Sequence, residues 1–245
     1  MQDHLQAQLV YRCLQPISLN DDLNSLWRKA RMGIRYLVAR SGPLAGGPAP
    51  AGAFAKSQSN LTRPDLQFHF MPLSMARPGV IDRFSGFSFN ACQLRPRSRG
   101  DVLIRSSDPI APPAINANYL SEEADGRVLV AGLKLGRRIA DSTAFDTLRG
   151  TEERPGADAI NDAELLHYAR QAASSLYHPV GTCQMGQGPN AVVDASLKVH
   201  GLAGLRVADA SIMPTLISGN TNAATIMIAE KAADLISADA VSSGR

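Results

Sequence analysis

The sequence is short of cysteine, of aromatic residues and of charge. Cys13, Cys92 and Cys183 are the three cysteines among 245 residues. An odd number, with no CxxC pair and no regular spacing to histidine, excludes a disulfide scaffold and a standard structural zinc site. Charged residues make up 19% and hydrophobic ones 44%, too apolar a balance for a disordered chain and enough to bury a sizeable core. The net charge of +3 is too small to argue for a nucleic acid partner. Arg95, Arg97, Arg99 and Arg105 are interrupted by Pro96 and Gly100, which reads as a solvated turn. The longest apolar runs, Val128–Leu133 and Ala223–Ala229, fall far short of the roughly twenty residues that cross a bilayer. The opening MQDHLQAQLV has neither the basic start nor the apolar stretch of a signal peptide, so a reduced, cytoplasmic compartment is expected.

What is present is a change of period along the chain. LQAQLVYRCL has the apolar and β-branched character of a strand. Asn20 and Asp21 offer cap oxygens to a helix whose apolar positions Leu23, Leu26, Trp27, Ala30, Ile34, Leu37 and Val38 recur at three and four, until Ser41-Gly42-Pro43 stops it. GPLAGGPAPAG, from Gly42 to Gly52, is a small-residue loop, a lid or a linker. Between Leu66 and Ile115 the pattern alternates: Leu66, Phe68 and Phe70 against Gln67 and His69, then Phe87, Phe89 and Ala91 against Ser88 and Asn90. A third run, Asp101 to Arg105, completes an expected meander of antiparallel strands with one buried face. Ser121, Glu122 and Glu123 open a helix that reaches Ala140, Asn161-Asp162 opens another to about Ala173, and a last helix runs from near Asn222 to Ile236. The expected class is α+β, an antiparallel sheet with helices packed on one side. The expected divisions are 1–90, 91–236 and a disordered tail at 237–245.

Two patterns bear on chemistry. Gly186-Gln187-Gly188-Pro189-Asn190-Ala191 matches a dinucleotide fingerprint in form only. Pro189 interrupts the turn and a strand-like VVDASLKV follows where a helix N-terminus is needed, so it reads as a surface turn. His178, in YHPVGTC, is fixed in extended backbone by Pro179, and Gly181 keeps the next turn tight. Asn222 stands where a glycine-led turn becomes an apolar helix, whose first N–H groups carry partial positive charge. A lone histidine serves more often as a structural hydrogen bonder, and an Asn at that point as a plain cap. The local reading leaves those roles open beside the catalytic one.

Three linked segments carry a resemblance. YHPVGTCQMG (Tyr177–Gly186), LRVADASIMP (Leu205–Pro214) and GNTNAATIMIAEKAADLI (Gly219–Ile236) resemble the C-terminal signature of the glucose-methanol-choline oxidoreductases, in the manner of choline dehydrogenases and related FAD-dependent alcohol dehydrogenases. Trp27-Arg28-Lys29-Ala30-Arg31, Ser41-Gly42-Pro43, Leu94-Arg95-Pro96, Ser98-Arg99-Gly100 and Asn118-Tyr119-Leu120 follow in family order. Gln2-Asp3-His4-Leu5 is similar to a stretch that follows a family Asn-Leu pair. The family's glycine fingerprint for FAD is not in the sequence, so the resemblance implies a C-terminal portion, the substrate-binding domain and flavin-facing segment, without the dinucleotide-binding half.

By that resemblance the reaction is oxidation of a primary or secondary alcohol, choline-like or another CH–OH donor, to an aldehyde or ketone. Hydride passes to FAD, and a quinone-type acceptor or oxygen takes the electrons onward. The resemblance gives His178 the role of base and Asn222 that of hydrogen-bond donor to the developing alkoxide. It assigns Asp209, Ala210, Asn222, Ala223 and Ala224 to the flavin, and no residue to a metal. An aromatic fraction of 5% asserts no cage for a quaternary ammonium from Trp27 and the tyrosines. The competing expectation is a non-catalytic remnant or binding module that holds no FAD.

Overall fold

A computed structural model describes residues 1–242. In chain order the elements are β1 (Leu5–Cys13), α1 (Leu19–Leu23), α2 (Leu26–Ala39), β2 (Ala51–Ala55), β3 (Leu66–Met71), β4 (Met75–Arg77), β5 (Val80–Ile81), β6 (Gly86–Gln93), β7 (Asp101–Leu103), β8 (Ala114–Asn116), α3 (Glu123–Ala140), β9 (Arg149–Arg154), α4 (Asp162–Ala172) and α5 (Asn222–Ser242). They form two compact units that interleave along the chain. One comprises Met1–Leu5, Leu94–Asp125 and Ser175–Arg245, the other Gln6–Gln93 and Gly126–Ser174. Strand β6 runs straight through residues 90 and 91, where the linear reading set a division.

The second unit is the sheet unit, and it is α+β as expected. Its strands run β1-β6-β3-β2, with β9 also paired to β1, and the pairings are antiparallel. Phe68 faces Ala91 and Phe70 faces Phe89 across β3 and β6, while Leu9 and Tyr11 face Phe89 and Phe87 from β1. Leu66, Phe68 and Ala91 form a buried cluster on which Val128, Leu135 and Ile139 of α3 pack. Gly132 lets the helix come close: a Cβ there would lie 3.0 Å from both the Ala91 methyl and Leu66 Cδ2. Phe145 extends the aromatic packing, stacked on Phe87 at 5.5 Å between ring centroids.

Several expectations are corrected here. Strand β6 is buried along its whole length on both faces, and two of its polar side chains, Ser88 and Asn90, find partners there. The Ser88 hydroxyl donates to the Leu73 carbonyl at 3.0 Å, and Asn90 Nδ2 reaches Met71 Sδ at 3.0 Å. Phe70 is only half-buried. The run expected from Asp101 to Arg105 gives β7, which leaves the main sheet and pairs with β8. The single helix expected from Asn20 divides in two. Asn24 is drawn to the Asp82 carbonyl, its Nδ2 donating at 2.7 Å, and Ser25 caps α2 through the Arg28 N–H. The apolar stripe of α2 points outward, with Leu26 86% and Val38 82% exposed. Part of the small-residue loop pairs as edge strand β2. Helix α4 has the expected cap, Asn161 Oδ1 accepting from Ala163 and Glu164 N–H groups at 3.0 Å each.

The first unit is built of loops, isolated bridges, the β7–β8 pair and α5. Its core is Val180, Val193, Leu197, Ile212, Met213, Leu216, Ile228 and Ala232, with Ala210 and Ala224 packed against it. Helix α5 continues to Ser242, past the stop expected at Ile236, because Ser237-Ala238-Asp239-Ala240-Val241 holds no glycine or proline to break it. The end of the expected tail, residues 243–245, lies outside the described residues. The Arg95–Gly100 segment is bolted down rather than free in solvent. Gln2 Nε2 donates to the Pro96 carbonyl at 2.6 Å, and the buried Asp125 carboxylate accepts from the Arg97 and Ser98 backbones and the Ser98 hydroxyl, at 2.5–3.1 Å.

Candidate functional site

His178 lies in the first unit, half-buried, and is held at both its backbone and its ring. Its segment lies against residues 2–4. Gln2 and Val180 exchange backbone hydrogen bonds at 2.9 Å each, and the Leu176 N–H donates to the His4 carbonyl at 2.9 Å. Val180 and Leu216, both buried, fix this frame from the apolar side, and Gln2 Oε1 accepts the Leu216 N–H at 2.9 Å. Gly181 supplies the positive φ of the turn that follows, at +82°.

Two neighbouring residues then address His178 directly. Asp3, 7% exposed, accepts the His178 backbone N–H at Oδ1, 2.8 Å away. Its Oδ2 accepts the Ser175 hydroxyl at 2.5 Å and the Tyr119 phenol. Burial, then the hydrogen bond to Asp3, push the Tyr119 hydroxyl up to about 12, so at neutral pH it stays a donor. His4, fully buried, meets the His178 ring edge to face. The centroids are 5.2 Å apart at 82°, and the two Nδ1 atoms lie 2.9 Å apart. His4 Nε2 lies 3.1 Å from the Leu94 carbonyl.

The other expected residues lie on segments of the same core. Asn222 is the first residue of α5, exposed, and the cap position belongs to Thr221, whose carbonyl accepts the Thr225 N–H and hydroxyl at 2.9 Å each. Ala223 is exposed and Ala224 half-buried against the core. Asp209 and Ala210 do not end a strand. The preceding segment makes only an isolated bridge, Lys198 with Arg206. Asp209 caps a short 3-10 turn over Ala210–Ile212 by accepting the Ser211 N–H at 2.8 Å. The Gly186–Ala191 stretch is an exposed turn with no helix after it, as read from the sequence.

Asp3 and His4 carry no site role in the sequence reading. They lie more than 170 positions from His178, and only the adjacent pair of a carboxylate and an imidazole near the start could have signalled them. Among the described residues no group of His, Cys, Asp and Glu is arranged to hold a metal ion, and no helix is long and apolar enough to cross a membrane. Cys13, Cys92 and Cys183 are free thiols.

Comparison with known proteins follows the same segments. Residues 96–229 match the family model described as GMC oxidoreductase, which puts the fold and its histidine segment in the flavoprotein oxidoreductase class. The chain belongs to the GMC oxidoreductase family. It is 42% identical over 237 residues to an oxygen-dependent choline dehydrogenase of Klebsiella pneumoniae, covering 96% of this chain and 43% of the relative. It is 41% identical to one of Escherichia coli, covering 96% and 42%. The chain thus spans less than half the length of these curated relatives. Among solved structures, formate oxidase of Aspergillus oryzae superposes with a TM-score of 0.87 at 23% identity, covering 97% of this chain and 46% of the other. Pyridoxine 4-oxidase of Mesorbium loti superposes with a TM-score of 0.78 at 26% identity, covering 95% and 42%.

Proposed function

We propose that this chain carries the substrate side of a flavin-dependent alcohol oxidation, with His178 as the base. The observation that supports it is the double hold on His178, at its backbone by Asp3 and at its ring by His4, within a segment that matches the family model. A base must be oriented before it is useful. The substrate O–H bond breaks, its proton goes to the His178 imidazole, and the carbon bearing the oxygen becomes a far better hydride donor. Asn222 donates a hydrogen bond to the developing alkoxide. The substrate class is a CH–OH donor, choline-like by the likeness to choline dehydrogenases or another small alcohol, and the product an aldehyde or ketone. Electrons leave to a quinone-type acceptor or oxygen.

The residues present fit FAD on two counts. The first turn of α5 offers backbone N–H groups and a partial positive charge beside small side chains, Asn222, Ala223 and Ala224. The Ser211 hydroxyl, next to Asp209 and Ala210, is buried with no hydrogen-bond partner, where buried hydroxyls are almost always paired. Asp209, Ala210 and the α5 turn would hold the cofactor, which when bound accepts the hydride.

The test is His178→Ala in the flavin-loaded protein. Turnover of an alcohol falls by about 10²–10⁴-fold with FAD retained; equal turnover in variant and parent refutes the base role. The second reading is a binding module that holds no FAD. Titrating FAD while following thermal unfolding separates the two: a saturable rise in Tm supports the flavin site, and a flat response supports the module. Residence in the cytoplasm is part of the same proposal, supported by the three free thiols.

A further inference from the structure

We infer that His4 is a positioning residue that fixes the tautomer of His178, holding its proton on Nδ1 and its lone pair on Nε2. The inference deepens the proposed function and rests on it for its catalytic meaning, though the tautomer itself is a property of the chain.

The argument starts at Leu94. A backbone carbonyl only accepts, so the 3.1 Å contact from His4 Nε2 requires the proton to be on that nitrogen. His4 is fully buried, and a second proton would leave an imidazolium out of water at high cost, so the ring is neutral and its Nδ1 is an acceptor. Nδ1 of His178 lies 2.9 Å from that acceptor, and two bare nitrogens at this distance repel. His178 Nδ1 therefore donates, which puts the lone pair of its neutral ring on Nε2.

The arrangement serves a base in both protonation states. Before proton transfer, Nδ1–H of His178 donates to His4. When Nε2 takes the proton from a substrate O–H, the imidazolium keeps the same donation, now charge-assisted and stronger. No hydrogen bond has to be broken or redirected. A carboxylate in the place of His4 would hold the same tautomer but would add a full negative charge. The neutral imidazole orients His178 without that electrostatic cost. The frame is rigid because the backbone pairing of Gln2 with Val180 sits two residues from each histidine.

The experiment uses the full chain labelled with ¹⁵N at histidine and reads ring nitrogens by long-range proton–nitrogen correlation NMR, with His178→Gln identifying the His178 signals. The wild type is expected to show a protonated Nδ1 and a bare Nε2. His4→Asn, whose amide oxygen can accept in the place of the ring nitrogen, is expected to keep that pattern. His4→Phe is expected to shift His178 toward a protonated Nε2. A wild-type His178 with its proton on Nε2 overturns the proposal without any variant having to fold; so does an unchanged pattern in a folded His4→Phe. In the flavin-loaded protein His4→Phe is expected to lower kcat about tenfold or more with KM little changed, and His4→Asn to recover most of it. The expected tautomer in a protein without alcohol turnover leaves the positioning intact and removes only the proposed function.

Discussion

The Asp3 carboxylate accepts the backbone N–H of His178 at 2.8 Å, joining residues 175 positions apart. The same carboxylate gathers the hydroxyls of Ser175 and Tyr119, so one buried charge is satisfied by three donors. Removing it strands those donors, while an amide in its place keeps part of the acceptance. Asp3→Ala is expected to lower the free energy of unfolding by about 1–3 kcal/mol and Asp3→Asn by less. Urea unfolding measures both, and a loss under about 0.5 kcal/mol for Asp3→Ala would show that the carboxylate is not what holds the segment.

Tyr119 gives the site an alkaline signature. Burial and the Asp3 hydrogen bond raise its hydroxyl from an ordinary 10 to about 12 in the folded chain. A raised folded value means that its contribution is fully present below pH 10 and is lost as the pH climbs from 10 to about 12, where only the unfolded chain ionises readily. Tyr11 and Tyr168 are shifted the same way, chiefly by burial, so the comparison must be with Tyr119→Phe. The stability difference between wild type and variant is expected to be constant up to about pH 10 and to shrink above it. A difference that stays constant from pH 9 to 12 would remove Tyr119 from this account.

Sequence alone carried the elements whose signals are local and left out those set by distant partners. The alternation of Leu66, Phe68 and Phe70 with Phe87, Phe89 and Ala91 is a property of each strand, and it reappears as the β3–β6 pairing. Asn161 and Glu164 lie three apart and cap α4 reciprocally. The break between α1 and α2 depends on the Asp82 carbonyl drawing Asn24, 58 positions away, and no local pattern reports that. The site divides likewise. His178 and Asn222 stood out through the family motifs, whereas the clamp from Asp3 and His4 exists only once the chain has folded.

Helix α2 carries a strong periodic apolar signal, yet none of its residues is buried. Polar replacements on the stripe, Leu26→Gln and Leu37→Gln, are expected to change stability by no more than about 0.5 kcal/mol. Leu9→Ala, at a fully buried position of β1, is expected to cost about 2–5 kcal/mol. Chemical denaturation of the three variants tests the orientation of the stripe: a cost above about 2 kcal/mol for Leu37→Gln would mean that α2 faces inward.

Two helical glycines test the packing of α3 against the sheet, because one substitution should act with opposite sign at each. Exchanging glycine for alanine in a helix interior gains about 0.8–1 kcal/mol from backbone entropy. At Gly33 of α2 a new Cβ meets nothing within 4 Å, so Gly33→Ala should stabilise by about that amount. At Gly132 the new methyl would lie 3.0 Å from the Ala91 Cβ, a short side chain fixed on central strand β6 with no rotamer to turn aside, and equally close to Leu66 Cδ2. Overpacking of that kind costs about 1–3 kcal/mol, which cancels or outweighs the helical gain. Gly132→Ala should therefore leave stability unchanged or reduce it by up to about 2 kcal/mol. Midpoints of urea unfolding at unchanged slope decide the matter. Stabilisation by Gly132→Ala equal to that by Gly33→Ala would mean that α3 stands farther from β6 than its glycine contact implies.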